Sequence, residues 1–340
     1  MPIVSVDPGR PDPGAIARAA ELLRQGELVA FPTETVYGLG ANALDAAAVR
    51  RIFVAKGRPS YDPIIVHVRD VDAARRLVRV WPDAATQLAT AFWPGPLTLV
   101  LPKRPAVPDV VTAGLDTVAV RVPAHPIARA LLEAAGLPVA APSANRFSEL
   151  SPTQAEHVAR SLGDRVSLII DGGPTSVGIE STVVRIDEAG VALLRPGIIS
   201  SEQLAEVVGP LAAAPGAPSG TAARRAPGML ERHYAPRATL ELFRRSESAR
   251  AAARAAEVGA AGGTVGALLL QPLPGPVRHP IMMPDDAAAY ARDMYAALHA
   301  LDEAGCSVVL AERVPDGAAW EGVRDRLRRA STRGSQAGSG

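Results

Sequence analysis

In the run Lys56-Gly57-Arg58-Pro59-Ser60-Tyr61-Asp62-Pro63 an ammonium and a guanidinium stand two residues apart, on what reads as a loop set by one Gly and two Pro. A compact point charge beside a bidentate fork suits a polyphosphate, so the run reads as a nucleotide triphosphate site. Of the chain's 36 basic residues 34 are Arg, so a lysine here stands against the general preference. The competing reading is a solvated loop in which Arg58 simply pairs with Asp62.

Further polar residues gather at the ends of apolar runs, where open α/β sheets place ligands. They are Thr33-Glu34-Thr35 after Phe31, His67 within 64–68, Thr117 and Arg121 around Val118-Ala119-Val120, and Ser143-Ala144-Asn145 after Ala141-Pro142. Each also has a purely structural reading. His67 fits a core histidine, Ser143 and Asn145 fit a turn, and Thr33 and Thr35 fit a strand end. Arg121 shares a strand face with Ala119, so it must find an anion or reach solvent. The glycine-rich stretch Asp171 to Thr182 has the makings of a backbone nest for an anion. A Walker loop, a dinucleotide fingerprint, a nucleophile elbow and metal-ligand spacings are all absent from the sequence.

Short apolar runs alternating with helical patterns predict an α/β domain over 1–208. Strands are expected at 28–31, 64–68, 97–101, 118–122, 138–141, 168–170, 182–186 and 191–194. Helices are expected after Asp12 and from Asp45, Asp70, Pro82, Pro126, Pro152 and Ser200. Close spacing of the last strands implies hairpins and a mixed sheet. Residues 209–238 turn to Ala, Pro, Gly and Arg and read as a linker, with a basic run at 222–226 and the segment Pro227 to Pro236 carrying Met229, His233 and Tyr234. A smaller three-layer α/β unit follows over 239–330, then a Gly- and Ser-rich tail, 331–340, expected to be disordered.

Basic and acidic residues balance, 36 against 35, which disfavours extended binding to phosphate backbones or membranes. Cys306 is a single thiol and reads as a buried, inert one. No signal-like segment or membrane-length apolar run is seen, which predicts a cytoplasmic protein.

The runs FPTETVYGLGANA (31–43), KGRPSYDPIIVHV (56–68), FWPGPLTLVL (92–101), VAVRVPAHP (118–126), APSANRFSELSPT (141–153), DGGPTSVGIESTVV (171–184) and LLRPGII (193–199) occur in this order. Together they closely resemble the YrdC/Sua5 family and, with the PGM…HYAP segment and a second domain, its long Sua5-type form. The resemblance implies a twisted open mixed sheet around a large cavity. It also implies synthesis of threonylcarbamoyl-AMP and pyrophosphate from L-threonine, bicarbonate or CO2, and ATP. The product would pass to a tRNA threonylcarbamoyltransferase complex that makes N6-threonylcarbamoyladenosine, with little or no direct tRNA binding here.

On the matching positions it implies that Lys56, Arg58, Ser143 and Asn145 are catalytic. ATP would be bound by these four with Asp62, Thr117, Ser151, Arg195 and Tyr234, and threonine by Thr35, His67, Arg121, Ala141 and Ser181. Mg2+ would accompany ATP without direct protein ligands, and the linker would lie over the site. Two alternatives stay open, an RNA-binding module and a carbamoyltransferase of another acceptor. Balanced charge and 4% aromatic residues weigh against the first, and the single cysteine against the zinc segments of the second.

Overall fold

The computed structural model describes residues 2–213 and 234–331. The basic run 222–226, His233 and the tail beyond Ser331 lie outside the described residues. The first part of the chain contains β1 (Ile3–Ser5), α1 (Pro13–Arg24), β2 (Val29–Pro32), β3 (Tyr37–Asn42), α2 (Ala46–Lys56), β4 (Ile65–His67), α3 (Val71–Arg75), α4 (Asp83–Phe92) and β5 (Leu97–Pro102). It continues with α5 (Asp109–Thr112), β6 (Thr117–Arg121), α6 (Pro126–Ala135), β7 (Val139–Ala140), α7 (Ala155–Leu162), β8 (Leu168–Asp171), β9 (Thr182–Asp187), β10 (Gly190–Arg195) and α8 (Ser201–Val208). The strands form one mixed sheet in the order β1-β8-β2-β3-β7-β4-β6-β5-β9-β10.

Local chemistry sets the helix ends. The Asp12 side chain accepts from the Ala15 N–H with Pro13 at the first turn, and Ser200 and Gln203 form a reciprocal capping box. Pleating divides β6. Val118 and Val120 enter the main core, while Ala119 joins a small cluster with Ile65, Val100, Val183 and Leu194. Thr117 and Arg121 share the Ala119 face, which is therefore floored by short apolar side chains along the length of the strand.

The expected elements are largely present, with instructive differences. Lys56 is not on a loop but ends α2, and the loop starts at Gly57, whose φ of 62° closes the helix. The strand β3 was not anticipated because Gly38 and Gly40 break its pattern; a Cβ at Gly40 would lie 2.8 Å from the Phe31 ring. Strand β1 was also missed, and Ser331, expected in the tail, closes a helix.

After residue 234 come β11 (Thr239–Phe243), α9 (Ser248–Ala260), β12 (Val265–Leu269), β13 (His279–Met282), α10 (Ala287–Glu303), β14 (Val308–Glu312) and α11 (Glu321–Ser331). Strand β13, with Pro280 inside it, was unanticipated. All four strands are parallel, in the order β11-β14-β12-β13. Ala251 and Ala255 of α9 cover one face with Phe243, Val265 and Leu310, while Tyr290, Met294 and Leu327 of α10 and α11 cover the other with Leu240, Leu268 and Val309. This is the expected three-layer unit. No helix among the described residues is long and apolar enough to cross a membrane.

The two sheets are joined through α10 and α11, and glycines permit the approach. A Cβ on Gly178 would sit 2.4 Å from the Ala291 carbonyl oxygen, and one on Gly322 would sit 2.5 Å from that of Gly197. The 171–182 stretch, expected as an anion nest, is at Gly178 a helix-docking surface instead. Gly322 lies inside α11, where helix propensity alone predicts that Ala is stabilising by about 1 kcal/mol. Packing predicts the opposite sign. Gly322→Ala should destabilise by about 1–3 kcal/mol, read as a lower denaturant midpoint at unchanged slope.

Candidate active site

One pocket is lined by Thr33, Thr35, Arg58, His67, Arg121, Ala141, Ser143, Glu180, Ser181, Arg195 and Tyr234, among others. The β2–β3 turn is tied internally, Thr33 Oγ1 donating to the Val36 carbonyl (2.6 Å) and lying 2.8 Å from Thr35 Oγ1. Arg121, at the end of β6, finds an anion within the protein. Its Nη2 lies 2.6 Å from Glu34 Oε1, its Nη1 donates to Thr35 Oγ1 (3.0 Å) and its Nε to the Gly95 carbonyl (3.1 Å). Arg195 Nη2 donates to the Ser181 carbonyl (2.9 Å) and hydroxyl (3.2 Å), and Ser181 Oγ lies 2.8 Å from Thr98 Oγ1. Burial, reinforced by Arg121, pushes His67 down to about 3, so its imidazole is neutral.

The remaining sequence-derived residues stand behind this lining. Lys56 Nζ donates to the carbonyls of Ser143 (2.6 Å) and Asn145 and so pins the 143–145 turn. Burial, then the neighbouring Arg58, holds its amine well below the usual range. Asp62 is fully buried and pairs with Arg58 at 2.9 Å, the pairing weighed from sequence as the bland alternative. The Asn145 amide donates to the carbonyls of Arg146 and Glu149, while its Oδ1 has no partner among the described residues. Thr117 lies outside the pocket lining, four residues before Arg121 and so roughly 13 Å along the same strand face. The free volume is about 50 Å³, small against the roughly 300–1,000 Å³ of typical ligand sites. Tyr234, 1% exposed, closes the pocket.

The second sheet's flank completes that wall. Arg326 of α11 is fully buried, its Nε 2.6 Å from Glu180 Oε2, its Nη1 2.8 Å from Asp325 Oδ2, and its guanidinium 5.2 Å from the Tyr234 ring centroid. Ser151 donates its hydroxyl to Glu180 Oε1, and Tyr295 of α10 reaches the same carboxylate at 3.3 Å. Burial alone would raise the Glu180 carboxyl, but Arg326 and Arg195 hold it below its ordinary value. Tyr234 Oη also accepts from Arg195 (3.4 Å), so this ring bridges both parts of the molecule.

Two family models match most of the chain. Residues 21–197 match a family model for Sua5, YciO and YrdC described as telomere recombination, and 199–332 match one described as threonylcarbamoyl-AMP synthase, C-terminal domain. The chain belongs to the Sua5/YciO/YrdC family. It is 44% identical to threonylcarbamoyl-AMP synthase of Pyrococcus abyssi, covering 92% of this chain and 93% of that protein. Identity to the Bacillus subtilis enzyme of the same name is also 44%, over 93% and 92%. The crystal structure of P. abyssi Sua5 complexed with L-threonine superposes with a TM-score of 0.91 at 43% identity, covering 97% of this chain and 98% of that one.

In this Sua5-family chain, sequence reasoning named Glu34 only within the Thr33-Glu34-Thr35 run, without a role, and missed Glu180 and Arg326. Glu34 sat between two singled-out threonines and could have been proposed as the anion Arg121 requires. Nothing local marks Glu180 or Arg326, which lie 146 residues apart. A second contact between the two parts stacks His157 of α7 on His299 of α10 at 3.7 Å between ring centroids. Burial, then His299, pushes His157 down to about 3, and burial lowers His299 as well.

Two predictions follow from these contacts. Breaking one side of the buried pair, by Arg326→Met or Glu180→Gln, should each cost about 3–5 kcal/mol, and the double variant should cost clearly less than their sum; chemical denaturation of the four proteins tests it. The histidines bind protons more weakly folded than unfolded, so they destabilise the native state increasingly as pH falls from about 6.5 toward 3. His157→Phe should flatten the dependence of melting temperature on pH over that window.

Proposed function

We propose that this chain is a threonylcarbamoyl-AMP synthase, which joins L-threonine, bicarbonate or CO2, and the AMP moiety of ATP, releasing pyrophosphate. The observation that carries the reading is one pocket holding Arg58, Arg121 and Arg195 around neutral hydroxyl and imidazole groups, in a chain matched over almost its whole length by proteins of that name. We take residues 1–208 as the catalytic unit, 209–238 as a linker, of which 214–233 lie outside the described residues, and 239–330 as a second unit that braces the first.

The threonine amine captures CO2 to give a carbamate. A carbamate oxygen then attacks the α-phosphorus of ATP, and the bond from that phosphorus to the oxygen bridging to the β-phosphate breaks as pyrophosphate departs. The protein's part is positioning and charge neutralisation. Arg121 takes the threonine carboxylate through guanidinium protons not used by Glu34 and Thr35, and Ser181, Thr35, His67 and Ala141 complete the amino-acid end. Arg58, oriented by Asp62, and Arg195 face the phosphates with Ser143, while Ser151, buried and bonded to Glu180, acts from behind the lining. Lys56 fixes the 143–145 turn and adds its charge from behind. Thr117, on the same strand face as Arg121, receives the far end of the nucleotide, and Tyr234 must swing aside to admit it.

Among the described residues no cluster of three His, Cys, Asp or Glu could hold a metal, while the unpartnered Asn145 Oδ1 and the Ser143 hydroxyl fit a hydrated cation held mainly by phosphate oxygens. Mg2+ would supply charge neutralisation there. Transfer of the product to a tRNA-modifying complex in the cytoplasm belongs to the same reading.

Mass spectrometry of products from ATP, bicarbonate and threonine should show threonylcarbamoyl-AMP and pyrophosphate; neither, from folded protein, would end the proposal. Arg58→Ala should weaken ATP binding by one to two decades, the loss of a charge-assisted contact of about 1.5–3 kcal/mol, as read by calorimetry. Serine, lacking one methyl, should be used roughly 10- to 200-fold less well than threonine. Valine should compete more weakly still, because it leaves a buried hydroxyl partner, assigned to His67, unsatisfied.

A further inference from the structure

The second sheet contains a cleft that the chemistry above does not use. After β11 the chain crosses to α9 on one face of the sheet, and after β14 it crosses to α11 on the opposite face. The two strands are parallel neighbours, Leu240 beside Val309 and Phe243 beside Glu312. At their carboxyl ends the connections therefore part in opposite directions, which is where open parallel sheets take up ligands.

The cleft at that point has a volume of about 460 Å³ and is lined by five arginines, Arg244, Arg245, Arg313, Arg324 and Arg328, against a single carboxylate, Asp316. Leu242, Val314 and Leu327 supply apolar wall.

Arg245 and Arg328 each have a carboxylate within 4.0 Å, Glu312 and Asp325, whereas Arg244, Arg313 and Arg324 have none among the described residues. Arg324 Nη1 is held by the carbonyls of Pro315 (2.6 Å) and Gly317 (2.8 Å). Arg245 Nη1 reaches the carbonyls of Gln271 and Pro272, at 3.4 Å each, with Glu312 no nearer than 3.9 Å. Main-chain carbonyls fix a guanidinium in place and leave its positive charge intact. Arg244 and Arg313 have no carboxylate within 4.0 Å among the described residues, and Glu247 accepts from the Arg244 backbone N–H at 2.7 Å. Arg328 shares Asp325 with Arg326 and Arg329. Elsewhere on the same unit, Arg237, Arg254 and Arg292 each have a carboxylate of their own within 4.0 Å. Arg250 and Arg278 of the same unit also lack a carboxylate within 4.0 Å among the described residues but do not line the cleft, whereas Arg244, Arg313 and Arg324 converge at a switch point beside apolar wall.

We propose that this cleft is a second anion site, taking a phosphate-bearing small molecule of the nucleotide class, its phosphate on Arg244, Arg313 and Arg324 and its apolar part on Leu242, Val314 and Leu327. Bidentate forks match phosphate oxygens, and the volume falls within the usual range for a small-molecule site.

The test is calorimetric titration of the full chain with AMP and, separately, with inorganic pyrophosphate. The parent should show two sites. In Arg244→Ser/Arg313→Ser one site should weaken at least 10-fold while the other, and the rate of threonylcarbamoyl-AMP formation, stays unchanged; Arg58→Ala should show the reverse. Both cleft side chains are exposed and without carboxylate partners, so the double variant should melt at the parent temperature, which is measured alongside. A single site in the parent, or two sites unaltered in the double variant, overturns the proposal. So does binding to the cleft of a short single-stranded RNA where AMP and pyrophosphate fail to bind. Because the readout is binding at a cleft whose lining shares no residue with that of the first pocket, it stands or falls separately from the proposed synthase reaction.

Discussion

Arg326 and Glu180 are both buried, with 2.6 Å between Nε and Oε2. Taking either charge out of water by itself costs several kcal/mol, so neither the α11 docking surface nor the Glu180 wall of the pocket is comfortable without the other. The pair therefore does more than hold two units together. It neutralises the one carboxylate that lines the pocket among the described residues, anchors Ser151 through Glu180, and presents a guanidinium face to the Tyr234 ring. Gly178 and Gly322 supply the backbone proximity this requires. The second unit is thus part of the pocket's electrostatics as well as its support.

The pocket divides its cations by what each can do. The guanidinium groups of Arg58, Arg121 and Arg195 are fixed by Asp62, Glu34 and Ser181 respectively, and all three line the cavity. Lys56 offers one compact head, and two adjacent carbonyls converge on it from the 143–145 turn.

Much of this was legible because it is local. Period-two runs and capping residues located β2, β5, β6, α1 and α8, and strand-end polarity placed Thr35, His67, Arg121 and Ser143 near one another before any geometry was known. What escaped reading was set by distance or by conflict with propensity. Tyr37–Asn42 carries two glycines that packing demands and strand propensity disfavours. Lys56 reads as loop because Gly57 follows it, although glycine there is the cap that ends a helix. Glu180 looks like one more polar residue of a connection, and its charge acquires meaning only from a partner on a helix of the second unit.

That separation has a consequence for the order in which the molecule becomes complete. Among the described residues every other charged group of the pocket wall lies at or before Arg195, so the first sheet can assemble during synthesis while Glu180 is still without its counter-ion. Contacts of such long range form late, since closing a large loop must precede any reward from the contact. Until α11 docks, Glu180 gains less from ionising and the Tyr234 ring lacks its cationic face. A growing chain thus holds a nearly finished sheet with an unfinished pocket, and synthesis of a helix far downstream sets the moment at which that pocket first has its full charge pattern.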